Sequence, residues 1–165
     1  MEECDTMKRF VLLLAVVAAG AAVVLNGGLV FGEEKDPLAG TWVLDRGKSV
    51  FDPDTQMEGR TIIFEAKGGG VSFVQKTVTA AGNTIQSDYV AGYDGKDVAI
   101  SGSQLDTVAL KRMDANTVLR TGKIGGKVSE TATMIVSNAG KTLTITTKGS
   151  FSGVDYSSTQ VFDQQ

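Results

Sequence analysis

This chain of 165 residues has no histidine, one cysteine, one tryptophan and two prolines. Without histidine there is no Ser-His-Asp or Cys-His catalytic machinery and no His-ligated metal site. The one cysteine, Cys4, precedes a long apolar run. No disulfide can therefore staple the chain beyond that run, and no cysteine stands after it to carry a lipid. A cationic excess is missing too. Sixteen Lys and Arg against 19 Asp and Glu give a net charge of −3 and a pI near 5.0. That excludes the basic footprint of a nucleic-acid binder. The prolines, Pro37 and Pro53, interrupt none of the later apolar and β-branched runs.

The apolar residues come first. Residues 10–25 read FVLLLAVVAAGAAVVL behind Lys8-Arg9, and Asn26-Gly27-Gly28, Leu29-Val30-Phe31-Gly32 and the charged Glu33-Glu34-Lys35-Asp36 come after them. This charged, apolar, small-residue order is that of a secretory signal peptide, with Val30 and Gly32 placed for cleavage after Gly32. Glu2, Glu3 and Asp5 are acidic where a basic segment is expected, so Met7 is the cleaner start. An uncleaved anchor is the alternative, since residues 10–32 are long enough to span a bilayer. The expected layout is a signal peptide over 1–32, a short linker over 33–38 and one domain over 39–165, exported to the periplasm or the medium.

Beyond residue 39 the turns recur regularly. Strands are predicted near 40–45, 60–67, 71–79, 84–91, 97–101, 106–113, 117–124, 127–136, 142–148 and 156–162, with one short helix or turn near 47–58. Between them stand Lys67-Gly68-Gly69-Gly70, Ala81-Gly82-Asn83, Tyr93-Asp94-Gly95-Lys96, Asp114-Ala115-Asn116, Gly125-Gly126 and Asn138-Ala139-Gly140. Asp-Gly and Gly-Gly supply the positive φ that tight hairpins need. Short strands at this spacing predict an all-β sandwich or barrel. Alternation agrees: Leu143 and Ile145 oppose Thr142, Thr144 and Thr146, while Val128, Glu130, Ala132, Met134 and Val136 share a side.

Gly40-Thr41-Trp42-Val43-Leu44-Asp45 resembles the Gly-x-Trp opening of lipocalins and fatty-acid-binding proteins, the calycin group. Lys48-Ser49-Val50-Phe51-Asp52-Pro53, Tyr93-Asp94-Gly95-Lys96-Asp97, Leu110–Thr117 and Asn138–Thr144 resemble bacterial exported lipocalin-like proteins. The resemblance covers residues 39–165. It implies an up-and-down antiparallel β-barrel of about eight to ten strands with an interior cavity. Lipocalins often carry a disulfide and a long C-terminal helix. This chain has neither signature, which places it nearer the fatty-acid-binding and bacterial lipocalin-like variants.

Several residues are candidates for chemistry. Trp42 either faces a ligand or, with Gly40 allowing close backbone approach, plugs the closed end. A hairpin turning at Asp114-Ala115-Asn116 sets 110 opposite 120 and 112 opposite 118. Arg112 and Arg120 then share a face with Val108, Leu110, Val118 and Ile124. Two guanidiniums on such a face can hold a carboxylate or phosphate head group, or they can sit at a rim. Tyr89, Phe73, Tyr93, Phe64, Phe151 and Phe162 either line a cavity or fill the core. Asp52, Asp54 and Glu58 lack the graded spacing of a calcium loop and read as a solvated turn. Lys67–Gly70 lacks the residues of a phosphate loop. Glu65, Asp88 and Glu130 lie in strands with nothing to pair them into a catalytic acid and base.

The expectation is a non-enzymatic, monomeric, lipocalin-like protein with no cofactor and no metal. It would bind a small hydrophobic or amphipathic ligand in its interior through Arg112, Arg120, Tyr89 and Phe73. It would touch a membrane only if the N-terminal segment stays attached. The alternative is a structural or interaction module with a filled barrel. Cavity volume and lining separate the two.

Overall fold

The computed structural model describes residues 35–51, 57–137 and 139–165. The apolar run over 10–25, the cleavage point after Gly32, Asp52 and Asp54 of the acidic cluster, and Asn138 lie outside the described residues.

Ten strands form one antiparallel sheet: β1 (Gly40–Val50), β2 (Met57–Lys67), β3 (Gly70–Thr79), β4 (Thr84–Gly92), β5 (Val98–Ala99), β6 (Thr107–Arg112), β7 (Thr117–Ile124), β8 (Lys127–Ser137), β9 (Thr142–Phe151) and β10 (Val154–Gln164). Their order is β4-β3-β2-β1-β10-β9-β8-β7-β6-β5. The chain meanders, and the pairing of β1 with β10 turns the two halves into one curved wall. The wall nearly closes. At the seam β4 meets the residues after β5 through one bridge, in which Asp88 N donates to Ser101 O at 3.2 Å and Ser101 N to Asp88 O at 3.0 Å. Turn spacing and alternation predicted an all-β sandwich or barrel, and the meandering barrel is the one the resemblance implied.

Local differences have local causes. Residues 47–50 are strand rather than helix or turn, because β1 continues through a register shift after Asp45. Side chains carry the hydrogen bonds there. Asp45 Oδ1 accepts from Gly47 N at 2.9 Å, and Ser49 Oγ accepts from Val161 N at 2.9 Å. The last hairpin is longer than predicted: β9 and β10 run to a two-residue turn at Ser152-Gly153, with φ of 52° and 80°. Two positive φ values make the twist match that hairpins favour. Val128 does not share a side with Glu130. An irregularity at Gly122/Lys123 puts one extra residue in β8 and leaves Val128 59% exposed.

The core occupies one end of the barrel. Trp42, Phe64, Phe162, Ile62, Leu110 and Leu143 are all at most 1% exposed. Trp42 Nε1 donates to Leu38 O at 2.8 Å, which satisfies the indole while its ring stays dry. A Cβ on Gly40, whose φ is +150°, would lie 2.7 Å from Gln164 Nε2. This end is the base, and it is packed solid with side chains.

Candidate functional site

Inward faces change character along the strands. On β2 the inward series runs Phe64, Ile62, Arg60; on β3, Val71, Phe73, Gln75; on β9, Leu143, Ile145, Thr147; on β10, Phe162, Gln160. On β8 it runs Val136, Met134, Ala132, Glu130, and on β7 Val118, Arg120. Period-two alternation aims each series inward, and each of these series changes from apolar to polar along its strand. The base is therefore oily and the opposite half polar.

The polar half surrounds a cavity of about 390 Å³ that opens to solvent. Arg60, Gln75, Arg120, Glu130, Thr147, Tyr156 and Gln160 line it, and Phe51, Leu105, Ile124 and Phe151 stand among the apolar lining. A recess of about 30 Å³ lies where the polar layer meets Ile62, Phe73, Met134 and Ile145. That is roughly the volume of one water.

Glu130 organises one side of the cavity. Arg120 Nη2 donates to Glu130 Oε1, and Tyr156 Oη donates to Glu130 Oε2 at 2.7 Å. Arg60 stands apart, donating from Nη1 to Gln160 Oε1 at 2.6 Å and from Nε to Thr77 Oγ1 at 3.0 Å. Its partners are neutral. Burial, helped by the Arg120 cation and opposed by the Glu130 carboxylate, lowers the Arg60 guanidinium to about 10. Burial likewise pushes the Tyr156 hydroxyl far above its usual value, with the hydrogen bond to Glu130 adding to the rise.

Two buried side-chain atoms among the described residues have no hydrogen-bond partner: Arg120 Nε and Tyr89 Oη. Burial pushes the Tyr89 hydroxyl up to about 12, with the nearby Arg120 cation pulling the other way. Tyr89 stacks on Phe73 with ring centroids 4.5 Å apart. Phe73 borders the recess, whereas Tyr89 lies behind it and borders the seam.

The two predicted arginines share a face as the hairpin register requires, Leu110 opposite Arg120 and Arg112 opposite Val118. They do not share a site. Arg112 sits at the base, where Nη2 donates to Asp36 Oδ2 at 2.8 Å and Nη1 to Ala115 O at 3.1 Å. Its guanidinium lies 3.9 Å from the centroid of the Tyr93 ring, and Tyr93 Oη donates to the same Asp36 oxygen. The three tie the entering chain to the barrel. A hollow of about 600 Å³ beside them is lined by Lys35, Pro37 and the β2–β3 turn. It is an open surface depression, and its one arginine is already engaged.

Other expectations resolve plainly. Glu130, read in the sequence only as a strand carboxylate with no second acid to pair it, is bound by Arg120 and Tyr156. Phe64 and Phe162 are core, Tyr93 belongs to the base, and Phe151 stands 43% exposed at the cavity mouth. Gly68 and Gly69 make the β2–β3 turn with φ of 55° and 80°. Among the described residues no group of three or more His, Cys, Asp or Glu could hold a metal ion. No motif in the sequence singles out Arg60, Gln75, Tyr156 or Gln160. Yet Arg60 stands two residues before Ile62 and four before Phe64, and that spacing already places it on their face.

No protein-family model matches the chain, and no curated protein sequence matches it. Solved structures do. Zebrafish ileal bile acid-binding protein, solved in complex with cholic acid, is similar with a TM-score of 0.52 at 11% identity, over 78% of this chain and 99% of that one. The siderocalin Ex-FABP, described as functioning through dual ligand specificities, is similar with a TM-score of 0.42 at 10% identity, over 78% and 74% of the two chains. At 11% identity the likeness carries the architecture alone, an antiparallel β-barrel.

Proposed function

We propose that the protein binds a small amphipathic molecule through an anionic head group held in the polar half of the barrel. The observation that carries this reading is Arg60, a guanidinium turned into a cavity of about 390 Å³ with only neutral partners. A partly desolvated cation without a counter-ion is expensive, and a carboxylate donated by a ligand offsets that cost. Phe51, Leu105 and Ile124 supply apolar contact for a short aliphatic body. The cavity volume lies within the range of small-molecule sites. Binding without catalysis fits a cavity with one carboxylate, already engaged by two donors.

The test is calorimetric titration with octanoate and octanol. Charged hydrogen bonds contribute about 1.5–3 kcal/mol, so the acid should bind at least ~10-fold more tightly than the alcohol. Arg60→Gln should erase the preference. Equal affinities, or no binding, would remove this reading and leave the filled-barrel module, which the solid packing of the base supports.

The same proposal includes export. The apolar run over 10–25, the small residues ending at Gly32 and the charges from Glu33 support a leader removed after Gly32 from a barrel domain over 39–165. N-terminal sequencing of the native protein checks it, and recovery of residues 10–32 in a membrane fraction would replace export with anchoring.

A further inference from the structure

We infer that the cavity is matched to a single negative charge, and that Glu130 sets this selectivity: monoanionic head groups such as a carboxylate or sulfonate are accepted, and a dianionic phosphate monoester is refused. The inference rests on the binding reading above and specifies the charge of the head group.

Among the described residues that line the cavity, the charged groups are Arg60, Arg120 and Glu130. Two guanidiniums and one carboxylate leave one positive charge to be met. A monoanion neutralises it. A dianion would leave a net negative charge in a partly desolvated space, beside a carboxylate that repels it.

Glu130 is held in place by the sheet. In register it lies between Gly122 on β7 and Gly149 on β9. A Cβ on Gly122 would fall 2.8 Å from Glu130 Cγ and 2.6 Å from Leu105 Cδ1. A Cβ on Gly149 would fall 2.7 Å from Tyr156 Cζ and Oη. One glycine makes room for the Glu130 stem and the other for the ring that donates to its carboxylate. Both carboxylate oxygens are engaged, and the Glu130 and Arg120 side chains are only 12% and 16% exposed. Arg120 turns Nη2 toward Glu130. An incoming head group meets Arg60 and an Arg120 already turned to Glu130, not two open guanidinium forks.

The experiment is calorimetric titration of the full chain with octanoate, octanesulfonate, octyl phosphate and octanol. At pH about 8 the phosphate monoester is a dianion, since its second pKa is about 6. The acid and the sulfonate should then bind at least ~10-fold more tightly than the phosphate. Glu130→Gln, which keeps an oxygen for Tyr156 and an amide in the same space, should raise the affinity for octyl phosphate relative to octanoate by ~10-fold or more. A second arm uses the unaltered protein. Lowering the pH to about 5 makes the phosphate a monoanion, and its affinity should rise toward that of the sulfonate, which is a monoanion at both pH values. That arm decides the matter if Glu130→Gln fails to fold. Octanoate preferred over octanol, but octyl phosphate bound as tightly as octanoate at pH about 8, would overturn the inference and leave the binding reading standing. An unchanged preference in Glu130→Gln would do the same. No binding of any of the four would overturn both.

Discussion

All three tyrosines of the chain hold their protons more tightly than free tyrosine does. Burial is the leading cause for each. Tyr89 is raised to about 12, while Tyr93 and Tyr156 rise further because each donates to a carboxylate, Asp36 and Glu130. The folded protein thus keeps protons that the unfolded chain loses near pH 10. Stability from these groups is complete below pH 10 and falls as pH climbs toward and past 12. Arg60, lowered to about 10, has the opposite sign above pH 10, but it is one group against three. Tyrosinate absorbance of the native protein should stay flat through pH about 10.5 and rise only with unfolding, whereas denatured protein should titrate normally. A native tyrosinate signal at pH 10 would show that these hydroxyls are not enclosed. The polar layer itself was partly legible in the sequence. Arg120 emerged from the hairpin register, but Arg60 needed its spacing from Ile62 and Phe64 to be weighed against its charge. Arg112 lies on the same face as Arg120, and nothing in its alternation shows that Asp36 is waiting at the base.

Strands were legible because their turns are chemically explicit, and the exceptions mark where the backbone uses quieter signals. Ser152-Gly153 makes the twist-matched turn without the Asn or Asp that announces one, so the sequence understates the length of the last hairpin. The extra residue in β8 leaves no trace in hydrophobicity, and it turns Val128 outward. At the seam, Gly102 has φ +62°, and a Cβ there would fall 1.9 Å from Gln86 O. Only glycine lets the chain after β5 press against β4. Gly102→Ala should therefore open the seam. Amides of Asp88 and Ser101 should lose their exchange protection while those of β9 and β10 keep theirs. Retained protection at Asp88 and Ser101 would mean that the seam closes by other contacts. Local opening of this kind is expected where an isolated bridge, rather than a ladder, joins β4 to the segment after β5.

As a whole the molecule has an interior of two unlike halves. The base is filled and the polar half is hollow, so core substitutions and cavity substitutions should act on different measurements. Trp42→Ala removes the largest side chain of the base and its hydrogen bond to Leu38. It is expected to cost ~3–5 kcal/mol, a large share of the ~5–15 kcal/mol that holds a domain together. Urea unfolding monitored by circular dichroism checks this, and an unchanged midpoint would show that the base does not depend on the indole. Trp42 is also the sole tryptophan, and it is absent from the residues that line the cavity and its recess. Its fluorescence is therefore a reporter of one kind only. Emission from a dry indole should be blue-shifted and should move red as the barrel opens, yet it should stay silent while the cavity fills.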